Sequence, residues 1–293
     1  EGTKVATPNT SITVDKEAGA VSTRRGTVEP GKTGTSTKHS SSSSKPEASI
    51  YNGVTAAPIV MDASYPEGSE HTYTQIARAV GDLRQDIAMV NGAIDYTVVQ
   101  QALDDDSAKQ AARLDAADQK MVPQLLAGDV SAVTADYAII VGSVKDSQII
   151  QKLIEDGKLS GADTITADDA WEAYTIQEVE NPTETIKKAL VIAGADARGT
   201  IYGIYTISEE IGVSPWYWYS DVPVKTKDTI SVDYSTALTV DSPDVKYRGI
   251  FINDEEYSNK WAKEKFTELE PELNGDANKQ PGVNLLCSRS RRS

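Results

Sequence analysis

The chain has 293 residues, enough for one or two domains, with 39% hydrophobic and 25% charged residues and a formal net charge of −15. So acidic a surface repels polyanions, which excludes nucleic acid as an expected partner. The lone cysteine, Cys287, excludes an internal disulfide framework and a cysteine-based metal cluster, and no apolar run has membrane length, so neither a metal cofactor nor membrane insertion is expected.

Residues 1–49 are built from Thr, Ser, Gly, Lys and Pro and include a pure serine run from Ser40 to Ser44. That composition predicts a disordered linker, with residues 11–14 readable as a strand left from a preceding module. The linker holds seven Lys or Arg against five acids, so the acidity of the chain is concentrated further on. The triplet Asn9-Thr10-Ser11 is a glycosylation acceptor only in a eukaryotic secretory setting. The chain opens without Met and without a signal peptide; because it opens in linker-like sequence, a missing leader is expected.

From Ile50 the periodicity changes, and an α/β domain is expected over residues 50–240. Residues 57–61 read as a short strand. Tyr73, Ile76, Val80, Leu83, Ile87 and Val90 then keep one face of a helix for nearly five turns, with Gly92 as its stop. His71 lies near the start of that helix, where a surface position is favoured over a catalytic or zinc role. Residues 104–127 predict a more polar helix with Leu114, Met121 and Leu125 turned to the core. Asp104, Asp105 and Asp106 suit its N-terminus better than calcium, because they lack the alternating ligand spacing and the glycine of an EF-hand loop. A buried strand follows over residues 137–141, a short helix over 147–156 and another strand over 173–179. This order predicts a mixed sheet flanked by helices.

Residues 189–221 read ALVIAGADARGTIYGIYTISEEIGVSPWYWYSD. Residues 189–193 suit a strand covered on both faces; Gly194 supplies a turn, and Asp196 an N-cap for the helix beyond it. Ile201, Ile204, Ile207 and Ile211 recur at three- and four-residue steps, so that side should face a core. Gly199 and Gly203 cost helix stability, which makes sense where another backbone passes close, and Gly212 fits the left-handed position that ends the helix. A phosphate-cradling turn is the alternative for Gly194, but the three-glycine dinucleotide fingerprint and the P-loop lysine are both missing.

Trp216, Tyr217, Trp218 and Tyr219 follow Pro215. In an extended chain four consecutive aromatics cannot share one core, so at least one pair should face solvent or another domain. Interdomain packing is one reading; a sugar platform on Trp216 and Trp218 is the sharper one. Residues 247–252 then read as a buried strand ending at Asn253, Asp254, Glu255 and Glu256. At the end of a barrel strand such groups would bind substrate hydroxyls, while the alternative is a solvated acidic turn that caps a helix. Arg198 and Arg248 are candidate partners for a substrate carboxylate, or structural ion-pair residues.

The runs RGTIYGIY (198–205), IGVSPWYWYSDVP (211–223) and KYRGIFINDEE (246–256) resemble glycoside hydrolase family 115, the xylan α-glucuronidases, over about residues 137–282. The RGxxYG element alone is also similar to N-terminal domains of family 67 glucuronidases and β-hexosaminidases. The resemblance implies an α/β domain packed against a (β/α)8 barrel, secreted to the exterior or surface of a bacterial cell. It implies inverting removal of (4-O-methyl)glucuronic acid from glucuronoxylan or its oligosaccharides. On that basis residues 241–284 would be the truncated start of the barrel, and the catalytic carboxylates would lie on later strands, so none is assigned here. The tail over 285–293, LLCSRSRRS, departs from the family and reads as truncated or frame-shifted, the alternative being a basic tail for an acidic partner. Asn253, Asp254, Glu255, Arg198, Trp216 and Trp218 are the expected substrate-binding residues. A non-catalytic carbohydrate-binding or cell-surface module is the competing expectation.

Overall fold

The computed structural model describes residues 3–7, 10–15, 20–23, 26–28, 49–62, 70–100, 107–128, 130–217 and 222–249. The chain divides into two compact units, Glu1–Lys45 and Pro46–Ser293.

The first unit holds an antiparallel meander of β1 (Thr3–Thr7), β2 (Thr10–Asp15), β3 (Ala20–Thr23) and β4 (Gly26–Val28). The disordered linker expected here is corrected over these residues. Register sets Val5 opposite Ile12, Val14 opposite Val21, and Val21 opposite Val28, so β-branched positions line up across neighbouring strands. Threonine, read above as linker composition, also favours a strand when it alternates with valine and isoleucine. The expected strand over 11–14 lies inside β2. Residues 29–48 of the predicted linker lie outside the described residues.

The second unit is α/β, a mixed six-stranded sheet with helices on both faces. Its elements are β5 (Ile59–Asp62), α1 (Glu70–Val90), α2 (Tyr96–Gln100), α3 (Ser107–Ala116), β6 (Leu125–Gly128), β7 (Ala135–Ser143), α4 (Gln148–Glu155), α5 (Ala162–Thr166), β8 (Tyr174–Glu180), β9 (Ile186–Gly194), α6 (Ala197–Glu210) and β10 (Leu238–Val240). The strand order is β10-β8-β9-β7-β5-β6. β6, β5, β7 and β9 run parallel to their neighbours in that order, while β8 is antiparallel to both β9 and β10.

Alternation along the central strands explains the layers. Ile59, Met61, Ile139, Val141, Leu190 and Ile192 are buried on one face, in the same cluster as Ile76, Val80, Leu83 and Ile87 of α1 and Ile204 and Ile207 of α6. Val60, Ala138, Ile140, Ala189 and Val191 are buried on the other, with Ile150 and Leu153 of α4 and Ile165 of α5. Strands covered on both faces must be apolar throughout, and the central residues of β7 and β9 are.

The helix predicted over 104–127 is shorter. α3 ends at Ala116, and Leu125, instead of facing a core from a helix, lies in β6 paired with Ile59. Pro123 cannot donate a helical hydrogen bond, and its carbonyl accepts from Arg84 Nε at 2.7 Å, so the chain turns into a strand there. Asp104, Asp105 and Asp106 lie outside the described residues. The buried strand expected over 247–252 is not present at 247–249, where Tyr247 is 88% exposed. The remainder of the expected barrel start and the tail lie outside the described residues.

Candidate functional site

A parallel sheet offers ligands the edge where its strands end, beside the point where strand order reverses. Here that point lies between β5 and β7. Asp62 closes β5, and its Oδ2 accepts from the backbone N–H groups of Gln148 at 2.7 Å and Ile149 at 3.2 Å, at the start of α4. At the next helix start, Asp196 Oδ1 accepts from Gly199 N at 2.8 Å and Oδ2 from Glu172 N at 3.0 Å. The amides that would cradle a phosphate are therefore occupied by the protein's own carboxylates. The turn at Gly194 is also tight, since a Cβ there would lie 2.2 Å from Thr200 N.

Above α6 stands a second arrangement, centred on Glu172. This residue has φ 54°, a left-handed conformation uncommon outside glycine, and its side chain is only 4% exposed. Glu172 Oε1 accepts from Arg198 Nη1 at 2.8 Å, and Oε2 accepts from Arg248 Nη2. Arg248 also donates through Nη1 to the Val245 carbonyl and through Nη2 to the Tyr202 hydroxyl at 3.3 Å. Its guanidinium lies over the Trp171 ring, 5.7 Å from the centroid. Burial pushes the Glu172 carboxyl up, but hydrogen bonds from Arg198 and Arg248 outweigh it and hold the group below its ordinary value. Burial pulls both arginines down, and Glu172 more than restores them, so both finish above the ordinary value.

This geometry explains four residues of the RGTIYGIY run, Arg198, Gly199, Tyr202 and Gly203. Arg198 and Tyr202 hold the clasp, one turn apart on one helix face. Gly199 lets α6 approach the loop before β8, since a Cβ there would stand 2.2 Å from the Ala173 carbonyl oxygen. Gly203 does the same against the sheet, where a Cβ would meet Ile192 Cγ2 at 2.6 Å. Arg198 and Arg248 are thus ion-pair residues in this structure, the second of the two roles open to them.

Trp216 is 47% exposed whereas the adjacent Tyr217 is buried, so the aromatic run does send neighbouring rings to different surroundings. Trp218, Asn253, Asp254 and Glu255 lie outside the described residues. Sequence reasoning missed Glu172 and Trp171. The one signal was an acid immediately before a buried strand, too common a pattern to single out. Among the described residues no group of three or more His, Cys, Asp or Glu could hold a metal ion. No helix among them is long and apolar enough to cross a membrane.

Two concavities lie elsewhere among the described residues. A small, partly open cavity of about 20 Å³ between Asp86, Ser208 and the loop through Tyr217 is far below the several hundred Å³ of a ligand site. An open groove of about 560 Å³ runs past Asp95, Tyr96, Lys225 and Thr226.

The α/β domain thus carries its own carboxylates at two helix starts and is clasped through Glu172 to the chain that follows it. Residues 240–281, which include KYRGIFINDEE, match the model of glycosyl hydrolase family 115. No curated protein matches the chain. Among solved structures, one described as a family GH115 4-O-methyl-alpha-glucuronidase with specificity for decorated arabinogalactans is 26% identical, with a TM-score of 0.45. The similarity covers 72% of this chain and 21% of that one, so this chain spans about a fifth of its relative's length.

Proposed function

We propose that this chain is the N-terminal portion of a secreted glycoside hydrolase that removes (4-O-methyl)glucuronic acid side chains from xylan, with inversion. The observation that carries the reading is the family 115 match over residues 240–281. In this reading the α/β domain supports a catalytic barrel, and Asn253, Asp254 and Glu255, with Trp216 and Trp218, line the substrate side.

Glycoside hydrolysis needs two carboxyl groups flanking one bond, one protonated and one ionised. Three of the four buried acids among the described residues are engaged otherwise, Asp62 with α4, Asp82 with Tyr205 and Gln110, and Glu172 with two arginines, and the fourth, Asp86, lines the small cavity beside α6. In this reading the catalytic pair lies on later barrel strands, and the 293-residue chain by itself should show no appreciable glycosidase activity. The test is to extend the protein to the length of a family 115 enzyme and measure uronic acid released from glucuronoxylan and from decorated arabinogalactan. Release from glucuronoxylan supports the reading; release only from arabinogalactan changes the polysaccharide, and activity only on an unrelated glycoside ends the reading.

A further inference from the structure

The Glu172 clasp joins two parts of the chain that differ in kind. Trp171, Glu172, Arg198 and Tyr202 belong to the α/β domain, whereas Arg248 belongs to the segment that matches the family. Two more fastenings precede it: Val240 pairs with Tyr174 in the sheet, and Trp171 N donates to Ser242 Oγ at 3.0 Å. Asn253 follows Arg248 by five residues in sequence. The clasp is also held at a cost, because the left-handed backbone at Glu172, with φ 54°, is strained for a residue other than glycine. Three contacts oppose that strain at Glu172: the Asp196 carboxylate on its N–H and an arginine on each of its carboxylate oxygens.

Resting on the glycosidase reading above, we propose that Glu172 is a positioning residue for the reaction. By gripping Arg248 it fixes the place and direction in which the family segment leaves the domain. It touches no reacting atom. The guanidinium is needed for this, because it reaches Glu172, Tyr202 and the Val245 carbonyl at once, which a lysine ammonium on a flexible stem does not reproduce. Since a displacement of about 1 Å far from the chemistry can cost about a hundredfold in rate, a loosened clasp should be visible in turnover.

Two measurements test it. In this chain, Glu172→Gln and Arg248→Met are compared with the parent by peptide-resolved amide hydrogen exchange. Exchange over residues 241–249 should quicken by about tenfold or more while β7 and β9 keep their protection. Unchanged exchange over 241–249 overturns the proposal, and so does equal loss of protection in β9, which would make the clasp a general folding contact. Arg248→Met leaves the Glu172–Arg198 pair in place and decides the matter if Glu172→Gln does not fold. In the protein extended to family length, kcat on glucuronoxylan should fall about a hundredfold with KM held within roughly threefold, and Arg248→Lys should not restore it. A change in KM alone overturns the positioning role. If the extended parent releases no uronic acid, the glycosidase reading and the positioning role fail together, while hydrogen exchange still reports whether the clasp holds residues 241–249.

Discussion

Glu172 and Arg248 stand 76 positions apart in sequence and meet as a hydrogen-bonded ion pair, with Arg198 on the other oxygen of the same carboxylate. The carboxylate is nearly fully covered, whereas the two guanidinium groups keep 43% and 29% of their side-chain surface in solvent. The arrangement spares both cations full desolvation while giving the buried anion a donor for each oxygen.

Glu172→Gln should lower stability by about 1–2 kcal/mol, since it leaves two partly solvated arginines facing a neutral amide. The loss should depend on pH. The folded carboxyl titrates below its unfolded value, so its contribution is fully present above the ordinary carboxylate range and is lost as pH falls through the folded value. Urea unfolding of parent and variant should therefore converge only once the pH lies below the folded carboxyl's own lowered value, having begun to close as the pH leaves the ordinary carboxylate range. A gap that persists unchanged into acid would show that the amide fails for reasons of shape.

Gly199→Ala should destabilise by about 1–3 kcal/mol, because the new methyl meets the backbone carbonyl of Ala173 and backbone cannot swing aside. The midpoint of urea unfolding reads it directly. Gly157→Ala is a useful contrast: nothing lies within 4 Å of its Cβ position, and only its φ of +67° opposes the change.

Tyr205→Phe should cost about 1–3 kcal/mol. The Tyr205 hydroxyl donates to Asp82 Oδ2 at 2.6 Å between α1 and α6, and phenylalanine removes that donor from a buried carboxylate. Gln110 Nε2 remains on Oδ1 at 3.0 Å, which is why the loss should stop short of unfolding the domain. Thermal unfolding with near-ultraviolet circular dichroism would follow it.

Asp62→Ala should weaken α4 by about 1–2 kcal/mol, as does removal of other helix N-terminal caps, by stripping the acceptor from Gln148 N and Ile149 N. Hydrogen exchange should rise first in residues 148–155. Protection confined to its parent value there would refute the capping role.

How much of this was legible in the sequence follows from the range of the interactions involved. Local signals served well: α1 ends at Val90 with Gly92 at φ +83°, and α6 starts after Asp196 with its side chain capping Gly199. β7, β8 and β9 also lie where apolar runs placed them. What failed depended on partners distant in sequence. Leu125 is strand because Ile59 pairs with it, and β10 exists because β8 offers an edge to three residues of weak pattern. Glu172 was invisible for the same reason, since its meaning lies in Arg198 and Arg248. The two arginines were noticed, and the partner that makes them ion-pair residues in this structure is a carboxylate that no motif announced.

Asp62 and Asp196 carry a consequence for redesign and for natural drift alike. Each fills a helix start with a covalently attached anion, whose effective concentration no dissolved phosphate matches. An incoming nucleotide would have to evict a tethered rival from the same amides and then share the neighbourhood with the displaced charge. Opening both helix starts to a phosphate would require the loss of both side chains, and each loss first weakens the helix it caps.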